Sequence, residues 1–377
     1  MKLAIVTNIL PPYRVPLFNY LAQQPGIDLR VFLCAATEPN RHWEWPTGIC
    51  FEYEIGSTWT WSSKRGKTIY INPGLIGRIR HFAPDVVVAG GMGLVSVMAW
   101  LGARLCGARL LLWAEGVVGA GGWIGRIMRP LRLCLVHVTD GYIASSQTAA
   151  ELFRCLGARR ERITISLITL DVNAFGQAVS KQRENREQLR QMLGLAGPTV
   201  LYVGRLEPSK GVDLLLEAFD QLTATIPVAE LVIVGTGTEL DGLEARVTAA
   251  HRAQTHFVGF KQANELPPYY AAADLFALFS RVEPFGLVVT EAIAAGLPAI
   301  CSRFAGAAHD LVEHGQNGFI IDPEDIETNV RLMTQILTDN SLRERMGRRS
   351  LEIARKCTVE EAGAAMLAAV EAALGRC

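Results

Sequence analysis

The chain has 377 residues, half of them hydrophobic, with 37 basic and 37 acidic residues. This length suits two domains better than one, and the composition excludes a disordered chain. Residues 1–180 hold 18 Lys and Arg against 11 Asp and Glu, a net charge of +7, so residues 181–377 carry −7. The basic half suggests an anionic partner or a membrane surface, with chance and mutual attraction of the halves as the alternative.

Short apolar runs alternate with helical patterns through the first half of the chain. Most of these runs are nearly continuous, which is typical of buried parallel strands. The predicted strands are residues 3–6, 28–33, 85–89, 109–113, 141–144 and 164–165. Thr7 and Asn8 interrupt the apolar stretch at the N-terminus, which therefore predicts a strand and not a signal peptide.

Two further features of the sequence bear on the compartment. The longest uncharged run, between Asp85 and Arg104, contains three early glycines. It predicts a strand, a glycine loop and a helix in preference to a transmembrane span. The eight cysteines lack the paired spacing of metal sites, and we expect buried, reduced thiols in a cytoplasmic protein.

The second half of the chain repeats the alternation of strands and helices. Its predicted strands are residues 199–203, 230–234, 256–258, 274–278, 299–301 and 318–321. The polar run 180–191 begins a helix or a linker, which puts the domain boundary between Leu170 and Ser180. The alternation in both halves predicts an α/β fold of two Rossmann-like domains with parallel sheets.

The motif VGRLEPSKG, at residues 203–211, joins a predicted strand to an amphipathic helix over 212–222. Loops that follow parallel strands lie at the carboxyl edge of the sheet, where open α/β folds bind ligands. Arg205 and Lys210 are therefore expected at this edge, and two converging cations suit a diphosphate. The alternative is an exposed basic loop.

A second motif, SRVEPFGLVVTEAIAAGLP at residues 280–298, places two glutamates around a predicted helix start. Glu283 precedes a proline, which favours an extended loop. Gly286 opens an Ala-rich helix that ends at Gly296. The first-turn amides of residues 286–288 predict an anion site beside the positive end of the helix dipole. Glu291 can face the same ligand; the alternative is a pair of solvated carboxylates.

Together these motifs resemble family 4 of the retaining GT-B glycosyltransferases. The family signature is Glu, seven residues, Glu, with Phe-Gly after the first glutamate, and Glu283, Phe285, Gly286 and Glu291 match it. The resemblance implies two Rossmann-like domains that face each other across a cleft. It also implies that an acceptor-binding domain, residues 1–172, receives the returning segment 359–377, and that residues 173–358 form the nucleotide-sugar-binding domain.

Weaker matches extend the resemblance over the second half of the chain. They are VGTG at 234–237, HFVGF at 256–260, GQNGFIIDPED at 315–325 and the linker spacing Asp171-x-x-x-Phe175. The resemblance implies that Glu283, Arg205 and Lys210 are catalytic. It implies donor contacts from Gly204, Arg205, Lys210, Gly235, Phe260, Glu283, Phe285, Gly286, Leu287, Val288 and Glu291, with Glu291 on the ribose and Glu283 on the donor sugar.

The first-domain loops depart from the family pattern. The first loop, NILPPYRVPLF, lacks the family's adjacent glycines and carries Arg14 instead. Gly91 lies in the glycine loop after a predicted strand, and Glu115 follows another. We expect these three residues on the acceptor side, with Glu115 as a polar group or base. In the second domain His309 stands where the family has proline.

Several chemistries are not indicated by the sequence. It contains no Asp-x-Asp, no zinc spacing, no G-x-S-x-G, no Walker sequence and no G-x-G-x-x-G after its first strand. We therefore predict catalysis without metal or cofactor, in which the two cations and the helix start neutralise the leaving diphosphate. No nucleic-acid partner is expected.

The predicted activity is transfer of a sugar from a nucleotide diphosphate sugar to a glycan or lipid-linked acceptor. Assembly of cell-surface polysaccharide or glycolipid is the expected role. One alternative is a non-hydrolysing sugar-nucleotide epimerase on the same architecture. Another is a non-catalytic protein that binds nucleotide sugars.

A basic amphipathic pattern at residues 123–136, WIGRIMRPLRLCLV, bears on localisation. Arg126, Arg129 and Arg132 fall on one side of a helix, and apolar residues fall on the other. Such a helix can lie in an anionic membrane interface, although Pro130 would kink it. The alternative is a helix packed in the first domain. We predict peripheral attachment to the inner face of the plasma membrane.

Overall fold

The computed structural model describes residues 1–38, 43–62, 68–116 and 127–375. The chain divides into two compact units. Unit 1 comprises Met1–Thr169 and Val359–Cys377, and unit 2 comprises Leu170–Thr358. The boundary expected from the sequence after residue 172 lies three residues beyond this division.

Unit 1 is built on a parallel sheet with helices between its strands. Its elements in chain order are β1 (Lys2–Thr7), α1 (Val15–Ala22), β2 (Asp28–Leu33), β3 (Glu52–Ile55), β4 (Trp59–Ser62), β5 (Thr68–Ile71), α2 (Gly74–Phe82), β6 (Val86–Gly90), α3 (Leu94–Cys106), β7 (Arg109–Ala114), α4 (Arg129–Val138), β8 (Gly141–Ala144), α5 (Gln147–Cys155) and β9 (Ile163–Ile165). The sheet order is β3-β2-β1-β6-β7-β8-β9. Strands β4 and β5 form a separate antiparallel hairpin.

Unit 2 repeats this design with a second parallel sheet. Its elements are α6 (Val172–Arg183), α7 (Arg186–Met192), β10 (Thr199–Val203), α8 (Val212–Thr225), β11 (Glu230–Val234), α9 (Leu240–Arg246), β12 (Thr255–Gly259), α10 (Pro267–Ala272), β13 (Leu275–Leu278), α11 (Leu287–Ala294), β14 (Ala299–Ser302), α12 (Ala308–Leu311), β15 (Gly318–Ile321), α13 (Ile326–Thr338) and α14 (Asn340–Ala354). The sheet order is β12-β11-β10-β13-β14-β15. The prediction of two Rossmann-like domains is confirmed.

The final helix, α15 (Val359–Ala373), belongs to unit 1 although it follows all of unit 2 in the chain. It packs on α1, and Met366 and Val370 are fully buried in the unit 1 core. The Ser166 hydroxyl donates to the carbonyl oxygen of Ala362 over 2.9 Å. This helix thus closes one face of the unit 1 sheet.

Strands β3, β4 and β5 were not predicted from the sequence. Strand β3 lies at the sheet edge, where Tyr53 and Ile55 are exposed and alternate with glutamates. Trp59 of the hairpin is 75% exposed. These short strands lack the continuous apolar runs that reveal the central strands, although Tyr70 of β5 is buried.

The expectation that the cysteines are buried is wrong for part of the set. Buried thiols are Cys34, Cys301 and Cys357, whereas exposed thiols are Cys50, Cys134 and Cys155. The exposed cysteines lie on helix surfaces or in a loop, where apolar neighbours in sequence do not imply burial.

Candidate active site

The predicted motifs of unit 2 meet where β10 and β13 end. These neighbouring strands mark the point at which the strand order of the sheet reverses, since the chain runs from β10 to β11 on one side and later to β13 on the other. Crevices at such points bind ligands in open α/β sheets. The Lys210 ammonium lies here, 2.5 Å from Oε2 of Glu283. Their side chains are only 10% and 14% exposed.

The loop that carries Arg205 and Lys210 is anchored on both sides. The Leu206 amide donates to the Thr236 carbonyl over 2.9 Å, and the Arg281 amide donates to the Ser209 carbonyl over 2.9 Å. The Arg281 guanidinium also forks onto both carboxylate oxygens of Asp213 at 2.7 and 2.8 Å. Such bidentate contacts fix the geometry of a loop, so the two cations sit on a rigid support.

Arg205 forms an ion pair with Glu207 of the same loop and remains 37% exposed. Its backbone carbonyl accepts a 2.9 Å hydrogen bond from the buried hydroxyl of Tyr202. Burial raises the pKa of Tyr202, which therefore stays a donor. Arg205 thus has a fixed backbone and an accessible charge.

Close backbone contact links the ends of β10, β11 and β12. The Gly204 amide donates to the Val234 carbonyl, and the Gly235 amide donates to the Gly259 carbonyl, over 3.0 and 2.9 Å. A Cβ atom at Gly235 would lie 1.8 Å from the Gly204 carbonyl oxygen, which excludes a side chain there. Phe260 follows β12 directly, at the same edge of the sheet. The predicted donor residues of these loops are therefore neighbours.

The second motif forms a loop and then a helix, as predicted. Glu283 pairs with Ala305 through an isolated bridge, and its carbonyl accepts the Gly306 amide over 3.1 Å. Phe285 is buried, and Gly286 adopts φ 96° just before α11. This left-handed conformation favours glycine. Leu287 and Val288 then supply first-turn amides, which have no partner within a helix.

Glu291 lies on α11 and is only 9% exposed. Its Oε2 accepts a 2.6 Å hydrogen bond from the Tyr270 hydroxyl. Burial raises the pKa of Glu291 to about 7, and the Tyr270 bond works against this rise. The sequence did not predict this degree of burial, nor the tyrosine partner.

The three acceptor-side candidates of unit 1 also come together. Arg14 forms an ion pair with Glu115, and its guanidinium lies 4.2 Å from the ring centre of Trp113. Its Nη1 donates to the Thr7 hydroxyl over 2.8 Å. The Gly91 amide donates to the Trp113 carbonyl over 2.6 Å. These residues surround the ends of β1, β6 and β7, the reversal point of the first sheet.

The Arg14–Glu115 pair has a defined electrostatic state. Burial lowers the pKa of Arg14, but the charges and hydrogen bonds of Glu115 and Tyr13 together outweigh this effect, so that the pKa lies above its ordinary value. Arg14 is therefore a permanent cation, and Glu115 is its carboxylate partner.

Part of the basic amphipathic pattern lies outside the described residues, including Arg126 and Trp123. Arg129 and Pro130 open α4. Leu135 and Val136 are buried in unit 1, whereas Ile127 is 63% exposed. The described part of the segment thus contributes to the core and also leaves an apolar residue at the surface.

Several residues of these sites carried no signal in the sequence. Tyr270, Tyr202 and Trp113 are aromatic residues in apolar surroundings, which indicate only a core. Asp213 and Arg281 lie 68 positions apart, and only the fold reveals their contact. A polar residue just after a strand was an informative pattern in unit 1, and it indicated Glu115.

None of the helices in the ranges given above is both long and apolar enough to span a bilayer. In the same part of the chain, no three His, Cys, Asp or Glu side chains converge in a way that would hold a metal ion.

Comparison with known proteins defines the class of the chain. Residues 185–352, which include both motifs, match the model of the family glycosyl transferases group 1. These residues make up most of unit 2, and over them the chain is similar to this family of glycosyltransferases.

Two curated relatives illustrate the range of the family. A D-inositol 3-phosphate glycosyltransferase of Xylanimonas cellulosilytica is 30% identical over 62% of this chain and 57% of its own. A GDP-mannose-dependent alpha-(1-6)-phosphatidylinositol monomannoside mannosyltransferase of Mycobacterium tuberculosis is 28% identical over 92% of this chain and 91% of its own. The chain spans less than two thirds of several such relatives.

A solved structure shows the same architecture over the whole chain. Anabaena HepE, in complex with UDP and also with UDP-glucose, superimposes with TM-scores of 0.79 and 0.78 at 22% identity. The match covers 99% of this chain and 100% of HepE. It confirms the predicted GT-B fold.

Proposed function

We propose that the protein transfers a hexose from a nucleotide diphosphate sugar to a glycan or lipid-linked acceptor, with retention of anomeric configuration. The observation that carries this proposal is the Lys210–Glu283 pair at the reversal point of the unit 2 sheet. A cation for phosphate and a carboxylate for sugar hydroxyls lie side by side, next to the start of α11. The UDP and UDP-glucose complexes of HepE support a nucleotide sugar as donor.

Unit 2 is the proposed donor domain. Arg205, Lys210 and the first-turn amides of α11 bind the diphosphate, Glu283 orients the sugar and Glu291 accepts ribose hydroxyls. Gly204 and Gly235 let the ligand approach the backbone closely, and Phe260 flanks the nucleotide base. Phe285 is buried and holds the loop that leads to the first-turn amides of α11. The two cations take the role that a metal has in other sugar-nucleotide enzymes, so we propose metal-independent catalysis.

The proposed reaction breaks the bond between the anomeric carbon and the β-phosphate oxygen. The departing diphosphate takes the electron pair, and Arg205 and Lys210 stabilise its developing charge. The acceptor hydroxyl oxygen bonds to the anomeric carbon on the same face. Its proton passes to the oxygen of the leaving diphosphate, which explains how transfer proceeds without a separate enzymic base.

Unit 1, completed by residues 359–377, is the proposed acceptor domain. Arg14, Gly91 and Glu115 form a polar group at its sheet edge, and we assign Glu115 to hydroxyl recognition because Arg14 neutralises it. The Mycobacterium tuberculosis relative is a phosphatidylinositol monomannoside mannosyltransferase, which supports a lipid-linked acceptor. We propose a cytoplasmic protein that attaches to the inner face of the plasma membrane, in cell-surface glycan or glycolipid assembly.

Turnover with defined donors tests the function. The protein is incubated with UDP-glucose, UDP-galactose, UDP-N-acetylglucosamine and GDP-mannose, each with a bacterial lipid extract, with and without EDTA. Mass spectrometry and NMR should show a glycosylated lipid whose anomeric configuration matches that of the donor. An epimerised donor would establish the epimerase instead, and donor binding without any product would establish a binding protein.

A further inference from the structure

The carboxylate of Glu291 is held by a tyrosine that is itself held by two aromatic rings. The Tyr270 hydroxyl donates to Glu291 Oε2 over 2.6 Å, and the tyrosine is fully buried. The Phe175 ring meets it edge-on at 5.4 Å between centroids, and the Phe276 ring stacks on it at 6.2 Å. A ring fixed on two sides fixes the position of its hydroxyl, so one oxygen of Glu291 has a defined place.

This arrangement gives a role to the Asp171-x-x-x-Phe175 spacing. Asp171 caps α6 by accepting the Ala174 amide over 2.8 Å, which sets where the helix begins. Phe175 then lies in the first turn and reaches Tyr270 on α10. The order of contacts is therefore helix cap, phenylalanine, tyrosine and carboxylate, all within unit 2.

The pKa of Glu291 is set by two effects, its burial and its hydrogen bond from Tyr270. Burial favours the protonated carboxyl, whereas the tyrosine hydroxyl favours the ionised one; the resulting pKa is about 7. The helices packed against α11 are α6, α12 and α14. Their titratable side chains, none of which shifts the pKa of Glu291, are Lys181 and Arg183 on α6, His309 and Asp310 on α12, and Arg343, Glu344, Arg345, Arg348, Arg349 and Glu352 on α14.

We propose that Tyr270 is a positioning residue for the donor ribose: by its bond to Oε2 it fixes the carboxylate of Glu291, so that the second oxygen, Oε1, accepts the ribose hydroxyls. This inference rests on the proposed donor site and assigns a residue to it that the motifs do not contain. The chemistry is that of a charged acceptor for two neighbouring hydroxyl donors, which distinguishes a ribose from a deoxyribose.

Calorimetric titration of the full chain with UDP and GDP tests this proposal. Each nucleotide is compared with its 2′-deoxy and 3′-deoxy forms. For the wild type we expect removal of a bonded hydroxyl to cost about tenfold in affinity, as is typical of hydrogen bonds to charged groups. In Tyr270→Phe the ratio of the affinities for a nucleotide and its deoxy form should fall to about threefold or less, since the carboxylate loses its fixed orientation. Glu291→Gln should behave similarly.

Tyr269→Phe is the matched control, because Tyr269 neighbours Tyr270 on α10 and is half-buried. It should retain the wild-type ratio. Phe175→Leu removes one support of the Tyr270 ring without touching Glu291, and an intermediate ratio is expected. This second variant keeps the test decisive if Tyr270→Phe proves unstable.

The pH dependence separates positioning from a general structural effect. For the wild type, the ratio of the affinities for a nucleotide and its deoxy form should decline as pH falls through about 7, because protonation of Glu291 removes the acceptor charge. In Tyr270→Phe the decline should begin at higher pH, since the bond that favours the ionised form is gone. Equal losses for ribose and deoxyribose ligands, or an unchanged pH profile, would overturn the role of Tyr270. Absence of any nucleotide binding by the wild type would overturn the donor site itself.

Discussion

Lys210 and Glu283 are 73 positions apart in the chain, yet the ammonium nitrogen of one lies 2.5 Å from a carboxylate oxygen of the other. Both side chains are largely buried, so each charge depends on its partner. Removal of one partner from a buried pair leaves an uncompensated charge. Substitutions at this pair therefore report on binding and on stability together, and the two effects must be measured separately.

Glu283→Gln should reduce sugar transfer by orders of magnitude while nucleotide diphosphate affinity stays equal or increases. The substitution frees Lys210 from its carboxylate partner, which leaves the ammonium available to phosphate. Transfer rates and calorimetric titration with UDP or GDP provide the two readouts. A parallel loss of nucleotide affinity would show that Glu283 serves the phosphates and not the sugar.

Arg205→Gln and Lys210→Gln should each weaken nucleotide diphosphate binding by about 1.5–3 kcal/mol, the usual contribution of a hydrogen bond to a charged group. Affinity for the corresponding nucleoside should change little, because it lacks the phosphates. Lys181→Gln, which removes an exposed cation from α6, is the control. EDTA should leave wild-type activity unchanged. Loss of activity on addition of the chelator would refute metal-independent catalysis.

Glu291→Gln should stabilise the protein at pH 8 and have little effect at pH 5. The folded-state pKa of Glu291 is about 7, above the value of 4.5 for the free group, so the folded state binds this proton more tightly than the unfolded state. The cost of ionising the buried carboxyl is absent below pH 4.5 and complete above pH 7, where it reaches about 3 kcal/mol. Denaturant unfolding at the two pH values measures the difference, and equal gains at both would contradict the assignment.

Met366→Ala should destabilise unit 1 by about 2–5 kcal/mol, the range for truncation of a buried methionine. Met366 is fully buried in the unit 1 core although it comes from the last helix. Hydrogen exchange should show faster opening of β1 and α1, with protection of β10 unchanged. Glu371→Ala, on the exposed side of the same helix, is the control, and loss of protection in both units would argue against a separate unit 1 core.

The central strands could be predicted because burial on both faces leaves a continuous apolar signature. Strands 28–33, 141–144, 199–203 and 230–234 have the bounds expected from the sequence, and so does strand 318–321 at the edge of the unit 2 sheet. Strand β3 has no such signature, since Tyr53 and Ile55 alternate with two glutamates at an exposed edge. Its place in the sheet follows from pairing with β2, which only the tertiary structure supplies.

The convergence of the candidate site could be predicted for a topological reason. Loops after parallel strands lie at the carboxyl edge of the sheet, which predicted the place of Arg205 and Lys210, and the family resemblance assigned Glu283 to the same donor. Burial of Glu291 was not predictable, because the sequence of α11 does not show which elements cover the side of the helix that carries this glutamate. Tyr270 was missed for the same reason, as a tyrosine beside alanines on a short helix resembles any core residue.

The place of α15 in the chain has a consequence for synthesis. The residues of unit 2 form an uninterrupted segment, whereas unit 1 lacks α15 until all of that segment has been translated. While unit 2 is being synthesised, the apolar side of α1 that later meets α15 has no cover, and such transiently exposed surface favours aggregation. The unit that emerges first from the ribosome is therefore the last to be completed.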